Sequence, residues 1–202
     1  MGWICALRKM SPLWSLQIKE TSEEEVLNLQ SMPSPPPLLQ SLGLHGRLEK
    51  WPEWIPKLKS IASISLKRSN LMEDPLKVLQ ALPNLMSLKL HDGYRGDQLH
   101  IEGGGFQKLN YLGLLHLERL NRLIIDEGAL PLLEKLEIGD CPQLKEVLSG
   151  IHHMNCQLNS FLVCNQMKAL ILGKSSIFPL SLSVVGLMDK TAIGTRLVIQ
   201  NC

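Results

Sequence analysis

A repeating spacing of leucine and isoleucine is the feature that most constrains the fold of this chain. The pattern Leu-x-x-Leu-x-Leu, with isoleucine allowed, occurs six times, and its central residues are 26, 22, 24, 24 and 24 positions apart. The frames are Leu13-Leu16-Ile18, Leu39-Leu42-Leu44, Ile61-Ile64-Leu66, Leu85-Leu88-Leu90, Leu109-Leu112-Leu114 and Leu133-Leu136-Ile138, with a degenerate seventh at Met167-Leu170-Leu172. Repetition at one period predicts a solenoid of stacked structural units.

The frame itself predicts the shape of each unit. Alternation along x-Leu-x-Leu-x places two leucines inward and three side chains outward, as in a short strand. One unit buries about four large aliphatic side chains at roughly 1.5–3 kcal/mol each, while ordering its backbone costs about 1–2 kcal/mol per residue. Only stacked units are therefore stable. The period lies in the range of leucine-rich repeats, which predicts an α/β leucine-rich-repeat solenoid: a horseshoe arc with a parallel concave sheet and an irregular or short-helical convex side.

The repeats divide the chain into three parts. Residues 13–150 are predicted to form the leucine-rich-repeat domain, with residues 1–12 as a partial N-terminal repeat or edge. Residues 151–202 lose the period and are interpreted as an aperiodic tail, or else as a degenerate repeat. On the convex side, Asp74-Pro75 predicts a helix start, because aspartate caps helices and proline fits their first position.

Composition excludes several classes of function. The net charge is +2, from 21 basic and 19 acidic residues, whereas a nucleic-acid-binding domain normally shows a clustered basic stripe. The longest apolar stretch, residues 177–188, contains Pro179 and is shorter than the ~20 residues of a membrane span. The five cysteines are irregularly spaced, which favours reduced thiols in a cytosolic protein. We therefore expect neither nucleic acid as a partner nor a transmembrane segment.

The outward positions of the predicted strands are the candidate binding surface. The third outward residue is Lys19, His45, Lys67 and His91 in four successive repeats, which predicts a row of basic side chains along one rim of the concave sheet. With Lys89, these residues would form a mildly basic groove for an acidic partner segment. The alternative is an ordinary solvated face, on which lysine discourages unwanted strand pairing. Tyr111 and Leu115 are bulky outward residues of the fifth repeat, and form either a binding hot spot or a cover for the end of the domain.

No pattern predicts an enzyme, a cofactor, a metal or a small-molecule substrate. His152, His153, Cys156 and Cys164 are too irregularly spaced for a structural zinc site, which uses closely spaced cysteine pairs. Cys141 occupies a position where this repeat type often has asparagine or cysteine, which indicates a structural role. The phosphate-binding sequence Gly-x-x-x-x-Gly-Lys-Ser/Thr is absent, so we expect no ATP binding.

The residues between the leucines resemble those of one family. The stretches Leu38–Leu58, Leu71–Leu85, Gly104–Leu109, Ile125–Ile138 and Pro142–Glu146 are similar to stretches of plant coiled-coil, nucleotide-binding, leucine-rich-repeat disease resistance proteins. The resemblance covers about residues 6–154. It implies a role in plant defence, in which the repeats sense a pathogen effector or a guarded host protein and hold a nucleotide-binding switch inactive. That switch is absent from this chain.

The resemblance also implies partners and a location. The partner would be a protein: an effector, a host target or the nucleotide-binding domain of a receptor. The location would be cytoplasmic, with peripheral attachment to the plasma membrane through partners left open. Two alternative functions also stay open: a truncated, non-sensing receptor remnant or decoy, and a general leucine-rich-repeat signalling scaffold.

Overall fold

Ten short strands make up nearly all the regular structure in the described part of the chain, in a computed structural model. The structure describes residues 13–20, 26–27, 29–30, 35–48 and 50–149, and the backbone of a strand at residues 196–200. The strands are β1 (Ser15–Lys19), β2 (Ser41–His45), β3 (Ser63–Lys67), β4 (Ser87–His91), β5 (Gln98–Ile101), β6 (Tyr111–Leu115), β7 (Arg122–Ile125), β8 (Lys135–Gly139), β9 (Glu146–Ser149) and β10 (Arg196–Gln200).

Six of these strands coincide with the six leucine frames. β1, β2, β3, β4, β6 and β8 lie side by side in that order and pair in parallel without a shift in register. β10 pairs with the outer edge of β8 in the antiparallel direction. A parallel sheet whose neighbours are consecutive repeats is the arrangement of a leucine-rich-repeat solenoid. The predicted fold class is confirmed.

The two inward residues of each frame build a continuous core. Leu42, Leu44, Ile64, Leu66 and Leu88 are each no more than 1% exposed, and the same positions of later repeats continue the layer. Burying a side chain of this size contributes roughly 1.5–3 kcal/mol. Because each layer packs on the next, the stability of one repeat depends on its neighbours.

A second sheet, which the sequence did not predict, runs along the flank of the later repeats. β5, β7 and β9 pair in parallel and in register. The inward residues Leu99, Ile101, Leu123 and Ile125 are at most 2% exposed. Each of these strands follows a concave strand after a short connection, so the later repeats have two strands each.

The remaining convex structure is short and locally capped. A 3-10 turn covers Ile55–Lys57, and one helical turn, α1, covers Leu76–Leu79. The helix begins one residue later than predicted, with Pro75 as its N-cap, and Asp74 Oδ1 accepts a hydrogen bond from the Leu76 backbone N–H at 2.8 Å. The other carboxylate oxygen of Asp74 accepts the His100 backbone N–H at 3.1 Å. Asp74 thus connects α1 to β5.

The residue after each concave strand from β2 onward has a positive φ. The angle is 52–53° at Arg68, Asp92, His116 and Asp140, and 141° at Gly46. Such values are uncommon for residues other than glycine. The recurrence of the same φ after β3, β4, β6 and β8 shows that the solenoid turns the same corner at these four strand ends. The seventh frame at Met167-Leu170-Leu172 lies outside the residues that the structure describes.

Candidate functional site

A row of basic side chains lies along one rim of the concave sheet, and we call it the basic rim. Lys19, His45, Lys67 and His91 are direct neighbours in the registers of β1 to β4. Parallel strands lie about 4.8 Å apart, so the four positions span roughly 14 Å. Lys19 is exposed, and the other three side chains are half-buried.

Lysines carry the positive charge of the rim at neutral pH. Burial, followed by the positive charge of Lys67, lowers the pKa of His45 below its usual value. Burial also lowers the pKa of His91, together with the neighbouring His116. Both shifts disfavour the imidazolium form, so the histidines contribute polar rings and the lysines contribute charge.

Two further rows complete the concave face of β1 to β4. Along the opposite side, the four in-register positions are all serine, and we call them the serine row: Ser15, Ser41, Ser63 and Ser87. Between the two rows lie Gln17, Gly43, Ser65 and Lys89. None of these outward positions carries a carboxylate. The face over β1 to β4 is therefore polar and positively charged, with small residues at the centre of β2 and β3 between the longer Gln17 and Lys89.

The acidic residues that flank this face have partners at the strand ends. Glu20 Oε2 accepts the Arg47 backbone N–H at 3.2 Å. Asp92 Oδ1 lies 3.3 Å from the Nη2 atom of Arg95. The Nε–H of the same arginine donates to Asn70 Oδ1 at 2.8 Å. Both carboxylates are thus paired with groups at the corner after the strand.

The concave face changes character at β6 and β8, where side chains bind one another. The Tyr111 hydroxyl donates to Glu137 Oε2 at 2.7 Å, and Lys135 Nζ lies 5.3 Å from the centre of the tyrosine ring. A Cβ placed on Gly113 would lie 2.7 Å from the Tyr111 hydroxyl oxygen, so glycine allows the ring to cross that strand. Glu137 is only 2% exposed. We call these four residues the C-terminal network.

Leu115 corrects one expectation from the sequence. It points outward from β6, beside His91 and Gly139 in the register, but it is only 5% exposed. The sequence predicted Tyr111 and Leu115 as a pair of bulky outward residues. As a prediction of exposed side chains it is wrong for Leu115, and Tyr111 is half-buried. A position on the outward side of a sheet is not exposed when neighbouring side chains cover it.

His116 and Asp140 extend the rim beyond the residues that the sequence indicated. The His116 ring centre lies 4.5 Å from that of His91, and its Nε2 lies 3.3 Å from Asp140 Oδ2. Both residues occupy the positive-φ position after a concave strand. The sequence shows that they are 24 residues apart. They lie one residue after the leucine frame of their repeat, so the frame did not identify them as outward positions.

Other polar contacts connect neighbouring repeats on the flank. His100 Nε2 lies 3.0 Å from Asp126 Oδ1, and this hydrogen bond lowers the pKa of Asp126. The Cys141 Sγ lies 3.4 Å from the Gly139 carbonyl oxygen, and burial raises the pKa of its thiol to about 11. A thiol with that pKa stays protonated at neutral pH and is a poor nucleophile. Cys141 has the environment of a structural residue.

The part of the chain that the structure describes contains no group of three or more His, Cys, Asp or Glu side chains arranged to hold a metal ion. His152, His153, Cys156 and Cys164 lie outside it. No helix within it is long and apolar enough to cross a membrane.

Comparison with known proteins agrees with the repeat architecture. The family model described as "Leucine-rich repeat region" matches residues 3–172. No solved structure gives a significant match.

The relatives found by sequence are plant proteins. The chain is 30% identical to Disease resistance protein RPM1 of Arabidopsis thaliana over 174 residues, which cover 85% of this chain and 19% of that protein. It is 34% identical to Probable disease resistance RPP8-like protein 4 of Arabidopsis thaliana over 57% of this chain and 13% of that protein. Probable disease resistance protein RF45 of Arabidopsis thaliana is 32% identical over 73% of this chain and 15% of that protein.

The chain thus spans about a fifth or less of the length of these relatives. The family match covers most of the chain, and its repeats coincide with the concave strands observed in the structure. The chain belongs to the leucine-rich repeat region family, in the form found in plant disease resistance proteins.

Proposed function

We propose that this chain is a cytoplasmic protein–protein recognition region of the plant immune system, and not an enzyme. Its partner is a pathogen effector, a guarded host protein or the nucleotide-binding domain of a receptor. The names of the relatives support a role in disease resistance. The observation that carries the proposal is the concave face of β1 to β4, whose side chains are polar and cationic across four strands in register.

The basic rim and Lys89 are the proposed contact surface. Lys67 and Lys89 lie on neighbouring strands, β3 and β4, near the middle of the sheet. Their ammonium groups attract an acidic segment of a partner, accelerate its association and fix its position. This attraction is screened by salt over about 10 Å at 0.1 M ionic strength. Binding through this face should therefore weaken as salt is added.

Charge reversal tests whether the concave face, and not another surface of the chain, binds the partner. The chain is expressed in leaf cells together with the RPM1 relative from which the matched region has been deleted, and their association is measured by co-precipitation. We expect association with the wild-type chain and a loss of roughly tenfold for Lys67→Glu/Lys89→Glu, because two attractions become repulsions. The matched control is Lys57→Glu/Lys59→Glu, which changes two exposed lysines outside the concave sheet.

The outcome distinguishes two levels of the proposal. Equal association of both double variants would contradict the basic groove and leave recognition to another surface. Failure of the wild-type chain to associate would instead favour the second candidate, a remnant or decoy that does not assemble with a receptor.

A further inference from the structure

We infer that the concave face binds an acidic peptide that runs across β1 to β4, with its carboxylates between the serine row and the basic rim, and that the C-terminal network ends this footprint. The inference rests on the proposed function and specifies its partner. It assigns a binding role to the serine row, which has no role in the basic groove alone. It also limits binding to four of the concave strands.

The serine row supplies hydrogen-bond donors at a regular spacing. Ser41, Ser63 and Ser87 are half-buried and Ser15 is exposed. Within the part of the chain described by the structure, none of these four hydroxyls forms a hydrogen bond. A serine hydroxyl can donate to a carboxylate, and in-register strands repeat the donor about every 4.8 Å. Four aligned donors favour a ligand with several acceptors along the stacking direction.

The basic rim faces the serine row across a central row whose two middle residues are small. The two rows are four residues apart along each strand, which corresponds to roughly 13 Å at about 3.3 Å per residue. Gly43 and Ser65 occupy the centre of β2 and β3. The Gln17 side chain packs beside Gly43, and Lys89 continues the central row on β4. A peptide over this central row can accept hydrogen bonds from serine hydroxyls on one side and contact lysine ammonium groups on the other. Carboxylates satisfy both requirements.

The C-terminal network blocks extension of such a peptide past β4. Tyr111 occupies the β6 position that continues the serine row, and its ring crosses Gly113 in the central row. Its hydroxyl binds Glu137, the first carboxylate on the outward face. Leu115 continues the basic rim but carries no charge. The serine donors and the lysines of the basic face end at β4, and Lys135 on β8 lies over the Tyr111 ring and 3.6 Å from Glu137. The footprint therefore spans about 14 Å and accommodates roughly five extended residues.

Fluorescence anisotropy of labelled oligoglutamate peptides on the full-length chain tests this inference at low salt. For hexaglutamate, we expect Ser41→Ala/Ser63→Ala/Ser87→Ala to weaken binding roughly fivefold or more, because hydrogen bonds to carboxylates are lost. Ser60→Ala is the matched control. Ser60 lies outside the sheet, and its hydroxyl donates to the Pro37 carbonyl oxygen. It should change affinity less than about twofold.

Each result has a defined meaning. If the serine triple variant binds as wild type while Lys67→Glu/Lys89→Glu does not, the serine row has no role, and the inference is wrong although the proposed function stands. If neither variant changes affinity, both this inference and the proposed basic contact surface are wrong. If inorganic polyphosphate binds more tightly than hexaglutamate with the same sensitivity to the variants, the site recognises phosphate polyanions, which overturns the peptide assignment.

Peptide length tests the boundary at β6. Affinity should rise from two to about five glutamates and then level off. Longer peptides reach β6 and β8, where Tyr111 and Lys135 are already paired with Glu137. A continued rise of similar size to ten glutamates would contradict the boundary.

Discussion

Replacing Asp74 with alanine tests how neighbouring repeats are joined on the convex side. The carboxylate accepts the Leu76 N–H at 2.8 Å and the His100 N–H at 3.1 Å, so one side chain binds the first backbone N–H of α1 and holds β5. Loss of a side-chain acceptor at the start of a helix costs about 1 kcal/mol, and a half-buried N–H left without its acceptor costs about 1–3 kcal/mol. Burial raises the pKa of Asp74, so the cost of burying the carboxylate offsets part of the stability that its two hydrogen bonds provide. We expect a net loss of about 2 kcal/mol in the free energy of unfolding.

Urea unfolding followed by tryptophan fluorescence measures this loss. With a urea dependence of about 2 kcal/mol/M, the midpoint should fall by roughly 1 M. The matched control is Glu73→Ala, which removes an exposed carboxylate from the neighbouring position and should shift the midpoint by less than about 0.2 M. Asp74→Asn should be intermediate, because it keeps one acceptor oxygen. Equal midpoints for Asp74→Ala and Glu73→Ala would refute the proposed connection.

Three further predictions concern single residues. Tyr111→Phe should lower stability by about 1–3 kcal/mol, because it removes a hydroxyl donor from the buried Glu137 carboxylate; an unchanged melting temperature would contradict this. His91 has a lowered pKa in the folded chain, so the unfolded chain binds more protons and stability should fall as pH decreases below about 6.5. His91→Gln should reduce this pH dependence of the melting temperature, and an identical dependence would contradict the assignment. Cys141, with a thiol pKa of about 11, should resist iodoacetamide at pH 8 in the native chain and react in urea, as measured by mass spectrometry of its peptide; equal labelling in both conditions would argue against burial.

The concave sheet could be predicted from sequence because one physical constraint recurs in it. Each strand must bury two aliphatic side chains on one face, and a shift of one residue would expose both. The six leucine frames therefore determine strand positions and register together. The same alternation gives the outward positions, which is how Lys67 and Lys89 could be placed on neighbouring strands before the structure.

The second sheet was missed because its pattern is too short to recognise in one copy. Leu99-x-Ile101 and Leu123-x-Ile125 each contain two inward residues, and such a pair is common in any chain. The informative signal is their recurrence at 24 residues, in phase with the main frame. A search for all positions that recur at this period would have found β5 and β7.

Exposure on the concave face depends on contacts that spacing does not encode. Alternation places Leu115 outward, yet it is buried among its neighbours. Tyr111 was predicted as a bulky outward residue, but its hydrogen bond to Glu137 depends on Gly113, which lets the ring cross the strand. The division of this face into an open basic part and a self-bonded part is thus a property of packing.

The salt dependence of charge-reversed variants tests the central claim most directly. The claim is that lysines on the concave face of β1 to β4 bind an acidic partner. We predict that affinity of the wild-type chain for hexaglutamate falls steeply between 50 and 300 mM salt, and that Lys67→Glu/Lys89→Glu removes the binding and its salt dependence at unchanged melting temperature. The Lys57→Glu/Lys59→Glu control should retain most of both. Binding that is insensitive to salt, or equally weakened by the two double variants, would contradict the claim.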